Sequence, residues 1–145
     1  MARIDQKLTI RAPAPVVFGY LTEPEKAVVW QSSLLEARLE PEGPMRRGTR
    51  IEEVRKILGR KLDSVVEVTE LEPAHLFAGR VASGPLPFEF RYTLEESGGM
   101  TVLDFHMEGE PGGFFRLAEP LVVRSVKQQQ ESDFATLKEL AETAS

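Results

Sequence analysis

The sequence predicts an α+β fold in which a seven-stranded, curved antiparallel sheet, two short helices and a long C-terminal helix enclose a cavity. Three observations carry that prediction. From residue 33 to residue 109, extended segments of alternating polarity follow one another, separated by turn residues. One alternating segment and two short helical patterns precede them, and one long amphipathic pattern follows.

Residues 3–11 set Ile4, Gln6, Leu8 and Ile10 against Arg3, Asp5, Lys7, Thr9 and Arg11, the period of a half-buried strand. Pro13 and Pro15 end it, and Pro15 suits the first turn of a helix whose apolar side carries Val17 and Leu21. Thr22-Glu23-Pro24-Glu25 reads as a capping box, with Thr22 as N-cap, opening a second short helix that carries Ala27, Val28 and Trp30. Turn residues at Pro41-Glu42-Gly43-Pro44, Gly59, Glu72-Pro73, Gly84-Pro85 and Ser97-Gly98-Gly99 then divide six strands, near 33–40, 48–58, 60–72, 76–83, 86–96 and 100–109. Short turns between consecutive strands make an antiparallel meander.

The clearest alternation is Leu86, Phe88, Phe90, Tyr92 and Leu94 against Pro87, Glu89, Arg91, Thr93 and Glu95; Leu103, Phe105 and Met107 repeat it on the next strand. One face is apolar and aromatic, the other charged. Residues 114–143 read as helix, with Phe114, Leu117, Ala118, Leu121, Val122 and Val126 forming a stripe that Phe134, Leu137, Leu140 and Ala141 continue. Pro120 inside it predicts a kink or a break.

Composition narrows the function. The 145 residues suit one domain, at 41% hydrophobic and 28% charged content. No apolar run approaches the ~18 residues of a membrane span, and the N-terminus lacks the apolar core of a signal peptide, so a cytoplasmic location is expected. The chain has no cysteine, and hence no disulfide, thiolate nucleophile or cysteine metal site. A formal charge of −5 argues against nucleic acid as a partner; Arg46-Arg47 and Arg60-Lys61 are short clusters beside turns.

Strand, two short helices, six strands and a long helix is also a specific order, and several motifs sit within it. Ala14-Pro15-Val16-Val17-Phe18-Gly19-Tyr20-Leu21-Thr22-Glu23-Pro24-Glu25 with Trp30, then Gly48-Thr49-Arg50, Glu67-Val68-Thr69-Glu70-Leu71-Glu72-Pro73 and Arg116-Leu117-Ala118-Glu119-Pro120-Leu121 together resemble the START-like (SRPBCC) superfamily, and within it the polyketide cyclase/dehydrase-like branch. Where that family has Asp before the first-corner Pro, this chain has Glu23. The resemblance spans nearly the whole chain as one START-like domain, residues 1–145, and implies a helix-grip fold with an internal cavity. It implies no single reaction, because the superfamily includes lipid carriers, cyclases, hydroxylase subunits, hormone receptors and co-chaperones.

A curved sheet gripping a helix leaves its wide end to be filled by a ligand. The alternation places Phe88, Phe90 and Tyr92 beside Phe105 and Met107 along one wall, with Phe114, Leu117 and Leu121 facing them and Trp30 closing one end. The C-terminal half of the helix, Phe134 onward, is expected as solid core. Gln129, Gln130 and Asp133 interrupt the apolar stripe, either at a wet cavity mouth or as hydrogen-bond partners for a ligand. On the third strand, Glu53 and Arg55 alternate with Val54. The ordinary parity buries Val54; the opposite one lets Arg55 anchor a polar group, since a buried Arg needs a partner.

Catalytic signals are thin. His75 follows a turn, and His106 shares the charged face of its strand with Asp104 and Glu108, too loosely spaced for a closed metal site. No nucleophile–base motif and no phosphate loop is present, and no cofactor or metal is expected. The sequence therefore favours binding of a small hydrophobic or amphipathic molecule: a lipid, isoprenoid or aromatic metabolite. A cofactor-independent cyclase, dehydratase or hydrolase using Glu53, Arg55, Tyr92 and Gln130 is the alternative, and a co-chaperone-like interaction module the second. A homodimer through the sheet's outer face or an edge strand is compatible with the pattern.

Overall fold

The structure is a computed structural model that describes residues 2–109 and 119–144. The chain runs β1 (Ala2–Ile10), α1 (Ala14–Thr22), α2 (Pro24–Trp30), β2 (Leu34–Glu40), β3 (Arg50–Ile57), β4 (Arg60–Glu72), β5 (Leu76–Ser83), β6 (Phe88–Ser97), β7 (Met100–Gly109) and α3 (Glu119–Ala144). All seven strands form one antiparallel sheet in the order β1-β7-β6-β5-β4-β3-β2. This is the helix-grip arrangement that the order of elements predicts.

Six of the strands pair with their sequence neighbours, as hairpins must. β1 instead crosses to the far end of the meander and pairs with β7, from Ala2↔Gly109 to Ile10↔Thr101. Register shifts occur between Leu34 and Glu36, between Val65 and Val66 and between Val68 and Glu70, irregularities of the kind that bend a strand and increase its twist. The sheet's concave face buries Ile10, Ile51, Val66, Val68, Phe77, Leu94, Leu103 and Phe105, and α3 closes over them with Val122, Phe134, Leu137 and Ala141. The convex face is laced with ion pairs such as Arg38–Glu52 and Arg80–Glu67.

Several local expectations change. Thr22 is the last residue of α1 rather than the N-cap of α2, and its hydroxyl donates to the Phe18 carbonyl at 3.0 Å. A Thr near a helix end readily bonds the carbonyl four residues back, which removes it from capping. Glu23 takes the N-cap position without a side-chain cap bond, and Pro24 and Glu25 occupy the first turn. Pro120 is the second residue of the described helix, where its missing N–H removes no bond within that span. Phe114, Leu117 and any bend before Glu119 lie outside the described residues.

Leu121 does not face the sheet; it is 58% exposed, while its neighbour Val122 is buried. One residue turns a helix by about 100°. The inward face of α3 therefore runs Val122, Val126, Gln130, Asp133, Phe134, Leu137 and Ala141, and Leu121 falls off its edge.

Candidate functional site

Between the concave face of the sheet and α3 lies a cavity of about 170 Å³. Its walls are mainly apolar. Phe77 on β5, Phe88, Phe90 and Tyr92 on β6, and Phe105 and Met107 on β7 form one side, with Trp30 and Val122, Val123, Val126 and Phe134 opposite. Of the residues that the sequence assigns to the cavity, Phe88, Phe90, Tyr92, Phe105, Met107, Trp30 and Gln130 line it, as does Arg55, whose inward parity is the less ordinary one; Leu121 does not.

Aromatic rings set the shape. Trp30 stacks on Phe134 with centroids 5.6 Å apart, and its indole Nε1 donates to the Tyr20 carbonyl at 2.8 Å. Tyr92 packs 4.8 Å from Phe105 and 5.7 Å from Phe77. Phe134 is buried, as expected of the core half of the helix, and it is also the floor of the cavity. Phe90 fits because its cross-strand partner is Gly79: a Cβ there would stand 2.8 Å from the Phe90 ring. The missing side chain makes room for the ring against the strand.

One end of the cavity is polar. Glu53 and Arg55 both line the cavity from β3, and Val54 lies on the opposite face, the reverse of the ordinary parity that the sequence predicts. Their side chains are only 10% and 22% exposed. The reason is visible along the strand: Ile51 and Ile57 share their parity, and both line the cavity, so burying the two ends of the strand carries the charged pair inside.

Arg55 is held from three sides. Its Nε donates to Glu53 Oε1 at 3.0 Å, and Nη2 donates to Glu53 Oε2 at 3.3 Å and to Gln31 Oε1 at 2.7 Å. Nη1 donates to Ser33 Oγ at 3.0 Å. Burial works against the guanidinium charge, but Glu53 outweighs it, and the pKa of Arg55 stands above its ordinary value.

The short segment after α2 supplies the rest of this polar end. Ser32 donates its backbone N–H and its hydroxyl to Asp133 Oδ1, at 3.2 and 2.7 Å, and Gln129 Nε2 donates to Ser32 Oγ at 3.1 Å. Gln130 Nε2 donates to the Met107 sulfur at 3.4 Å, leaving Oε1 buried without a partner. A thioether can only accept, so this is the orientation that the chemistry favours for the amide. Polar residues in the stripe of α3 thus face the sheet. Gln31, Ser32 and Ser33 carry no local sequence signal for this role.

Tyr92 reaches the same region. Burial pushes its phenol pKa up; the Arg55 charge opposes this, and the carboxyl groups of Glu53 and Asp133 reinforce it.

The histidines stand elsewhere. His75 is exposed, and His106 pairs with Asp5 across β1 and β7 on the outer face. Among the described residues no group of three His, Asp or Glu is placed to hold a metal, and no helix is long and apolar enough to cross a membrane. A wider depression of about 790 Å³ opens on the outer side of β2, β3 and β4, but Glu25, Glu36, Arg38, Glu52 and Asp63 give it a charged lining. The apolar cavity is the candidate site.

Comparison with known proteins agrees with this fold. TTHA0849 from Thermus thermophilus superposes with a TM-score of 0.82 at 18% identity, covering 99% of both chains. A START superfamily protein from Mycobacterium smegmatis gives 0.79 at 14% identity, again over 99% of both. A conserved protein from Geobacillus kaustophilus gives 0.79 at 15% identity, over 99% of this chain and 97% of the other. At these identities the likeness establishes the fold. No curated protein matches the sequence. The family model for polyketide cyclase/dehydrase and lipid transport proteins matches residues 1–142, and the chain belongs to that family.

Proposed function

We propose that the protein binds a small, mainly apolar molecule in this cavity, with one polar group of the ligand at the end formed by Arg55, Asp133, Gln130 and Tyr92. The observation that carries this reading is an aromatic-walled cavity whose lining includes a few polar side chains, Glu53, Arg55, Tyr92, Gln130 and Asp133 among them, the usual plan of a small-molecule site. The family's description, which includes lipid transport, supports it. The volume is close to that of a ~150 Å³ apolar cavity that takes benzene, so it suits about one ring or a short chain.

Native mass spectrometry of the protein as purified, and after incubation with one-ring and short-chain compounds, tests the reading. A bound species that Phe90→Trp or Val126→Trp excludes is the expected result. Binding undiminished by both cavity-filling variants would sink it.

A second reading is a cyclase or dehydratase acting on a polyketide-like or aromatic substrate in the same cavity. The observation favouring it is that Glu53, Arg55, Tyr92 and Gln130 all line the cavity. Turnover that Tyr92→Phe abolishes without changing binding is its signature. The interaction-module reading has less support: among the described residues the exposed large apolar side chains are Val28, Val29, Leu35, Leu58, Met100 and Leu121, spread over α2, β2, the β3–β4 turn, β7 and α3.

A further inference from the structure

The ion pair that makes the cavity's polar end also decides what kind of polar group it accepts. A guanidinium in a cavity suggests an anion site, because Arg recognises a carboxylate through two parallel N–H bonds on one edge of its fork. Arg55 offers neither edge. The Nε/Nη2 edge is filled by the two oxygens of Glu53, and the second Nη2 hydrogen goes to Gln31. On the remaining edge, Nη1 has one hydrogen committed to Ser33. Four of its five N–H groups are engaged, and no pair is free.

The acceptors are in the opposite condition. Asp133 receives both Ser32 bonds on Oδ1, and Oδ2 has no partner among the described residues. Gln130 Oε1 is buried and unpartnered. Each group lines the same cavity. Among the described residues the cavity's charged groups are one guanidinium and two carboxyl groups, a formal charge of −1. An entering carboxylate would meet like charge with little water to screen it and no open fork to receive it. An entering O–H or N–H group would meet free oxygens on Asp133 and Gln130.

From this arrangement we infer that the cavity selects ligands with a hydrogen-bond-donating head group, a hydroxyl or an ammonium, and discriminates against carboxylates, with Arg55 as a scaffold rather than the anchor. The inference rests on the cavity-binding reading and narrows it to a ligand class.

The test uses the full chain and three one-ring probes matched in size: benzyl alcohol, benzylamine and benzoate, at neutral pH and constant ionic strength. Trp30, the only tryptophan in the sequence, lines the cavity, so its fluorescence reports occupancy, with isothermal calorimetry as the second readout. The alcohol or the amine is expected to bind roughly tenfold or more tightly than benzoate, and which of the two is tighter separates the hydroxyl from the ammonium source. Glu53→Gln removes one negative charge and loosens the hold on Arg55, so benzoate should gain roughly tenfold relative to benzyl alcohol. Asp133→Asn removes the other negative charge and should shift the ratio the same way; it stands in should Glu53→Gln fail to fold.

Benzoate binding as tightly as the other two in the unaltered protein overturns the inference and leaves the cavity-binding reading intact. A ratio unchanged in the folded variants does the same. No binding by any probe, with both readouts silent, overturns both.

Discussion

Arg55 and Glu53 stand two residues apart on the same face of β3, joined by N–H···O bonds of 3.0 and 3.3 Å that close a two-pronged ion pair inside the cavity. Removing one partner leaves the other's charge in a poorly solvated place, at about 3 kcal/mol, toward the lower end for a buried pair because water still reaches part of Arg55. Glu53→Leu should therefore lower urea stability by about that amount. Glu53→Leu with Arg55→Met should recover most of the loss, since a paired apolar replacement strands no charge. A double variant as unstable as the sum of the two single ones would contradict this account.

Tyr92 should make the stability of the fold depend on pH in the alkaline range. Its folded pKa is raised, so the native state holds the phenol proton more firmly than the unfolded chain does. The resulting stability is fully present below the unfolded value near 10 and is lost as the pH rises toward the folded value, at about 1.4 kcal/mol per pH unit. Unfolding free energies measured across that range should fall less steeply in Tyr92→Phe than in the unaltered protein. Parallel curves would show that the phenol is not held in this way.

The two ends of α3 should respond differently to truncation. Leu137 is fully buried in solid core, so Leu137→Ala should cost about 3–4 kcal/mol. Val126 is half-buried on the cavity wall, and Val126→Ala should cost only about 1 kcal/mol while enlarging the cavity. Thermal melts give the first comparison. Binding of a two-ring probe such as 2-naphthalenemethanol, tighter in Val126→Ala than in the unaltered protein, checks the second.

Gly79→Ala probes the opposite change. The added methyl would meet the Phe90 ring at 2.8 Å and the Glu67 carbonyl at 3.0 Å, so the ring must move into the cavity. We expect a stability loss of about 1–3 kcal/mol and weaker binding of one-ring probes. Pairing it with Phe90→Leu should restore part of both, and no recovery would mean that the ring is not the limiting contact.

Much of this was legible where side chains obey a period. Phe88, Phe90 and Tyr92 with Phe105 and Met107 follow strict alternation on adjacent strands, and the structure puts all five on one wall. Where two signals compete, local reading misled. Glu53 and Arg55 outweigh Val54 in polarity, yet Ile51 and Ile57 at the strand ends settle which face is buried. Leu121 continued a phase set by Phe114 and Leu117, and the inward stripe of α3 starts instead one residue later, at Val122. Thr22-Glu23-Pro24-Glu25 has the composition of a capping box, but the carbonyl of Phe18 competes for the Thr22 hydroxyl and wins. Gln31, Ser32 and Ser33 became part of the polar end only through tertiary contacts with β3 and α3, which no local pattern encodes.

The position of β1 in the sheet carries a further consequence, for the order in which the molecule can form. Every other strand finds a neighbour within a hairpin's reach, whereas β1 has only β7, about a hundred positions later in the chain. During synthesis the strand made first therefore waits, with Ile4, Leu8 and Ile10 unpaired, until the strand made last emerges. Closing so long a loop is entropically costly and slow, which places docking of β1 among the final events of folding. A nascent chain stalled before β7 should then expose an apolar strand for chaperones to hold, and protection of β1 amides in pulse-labelling exchange should trail that of the β3–β4 hairpin.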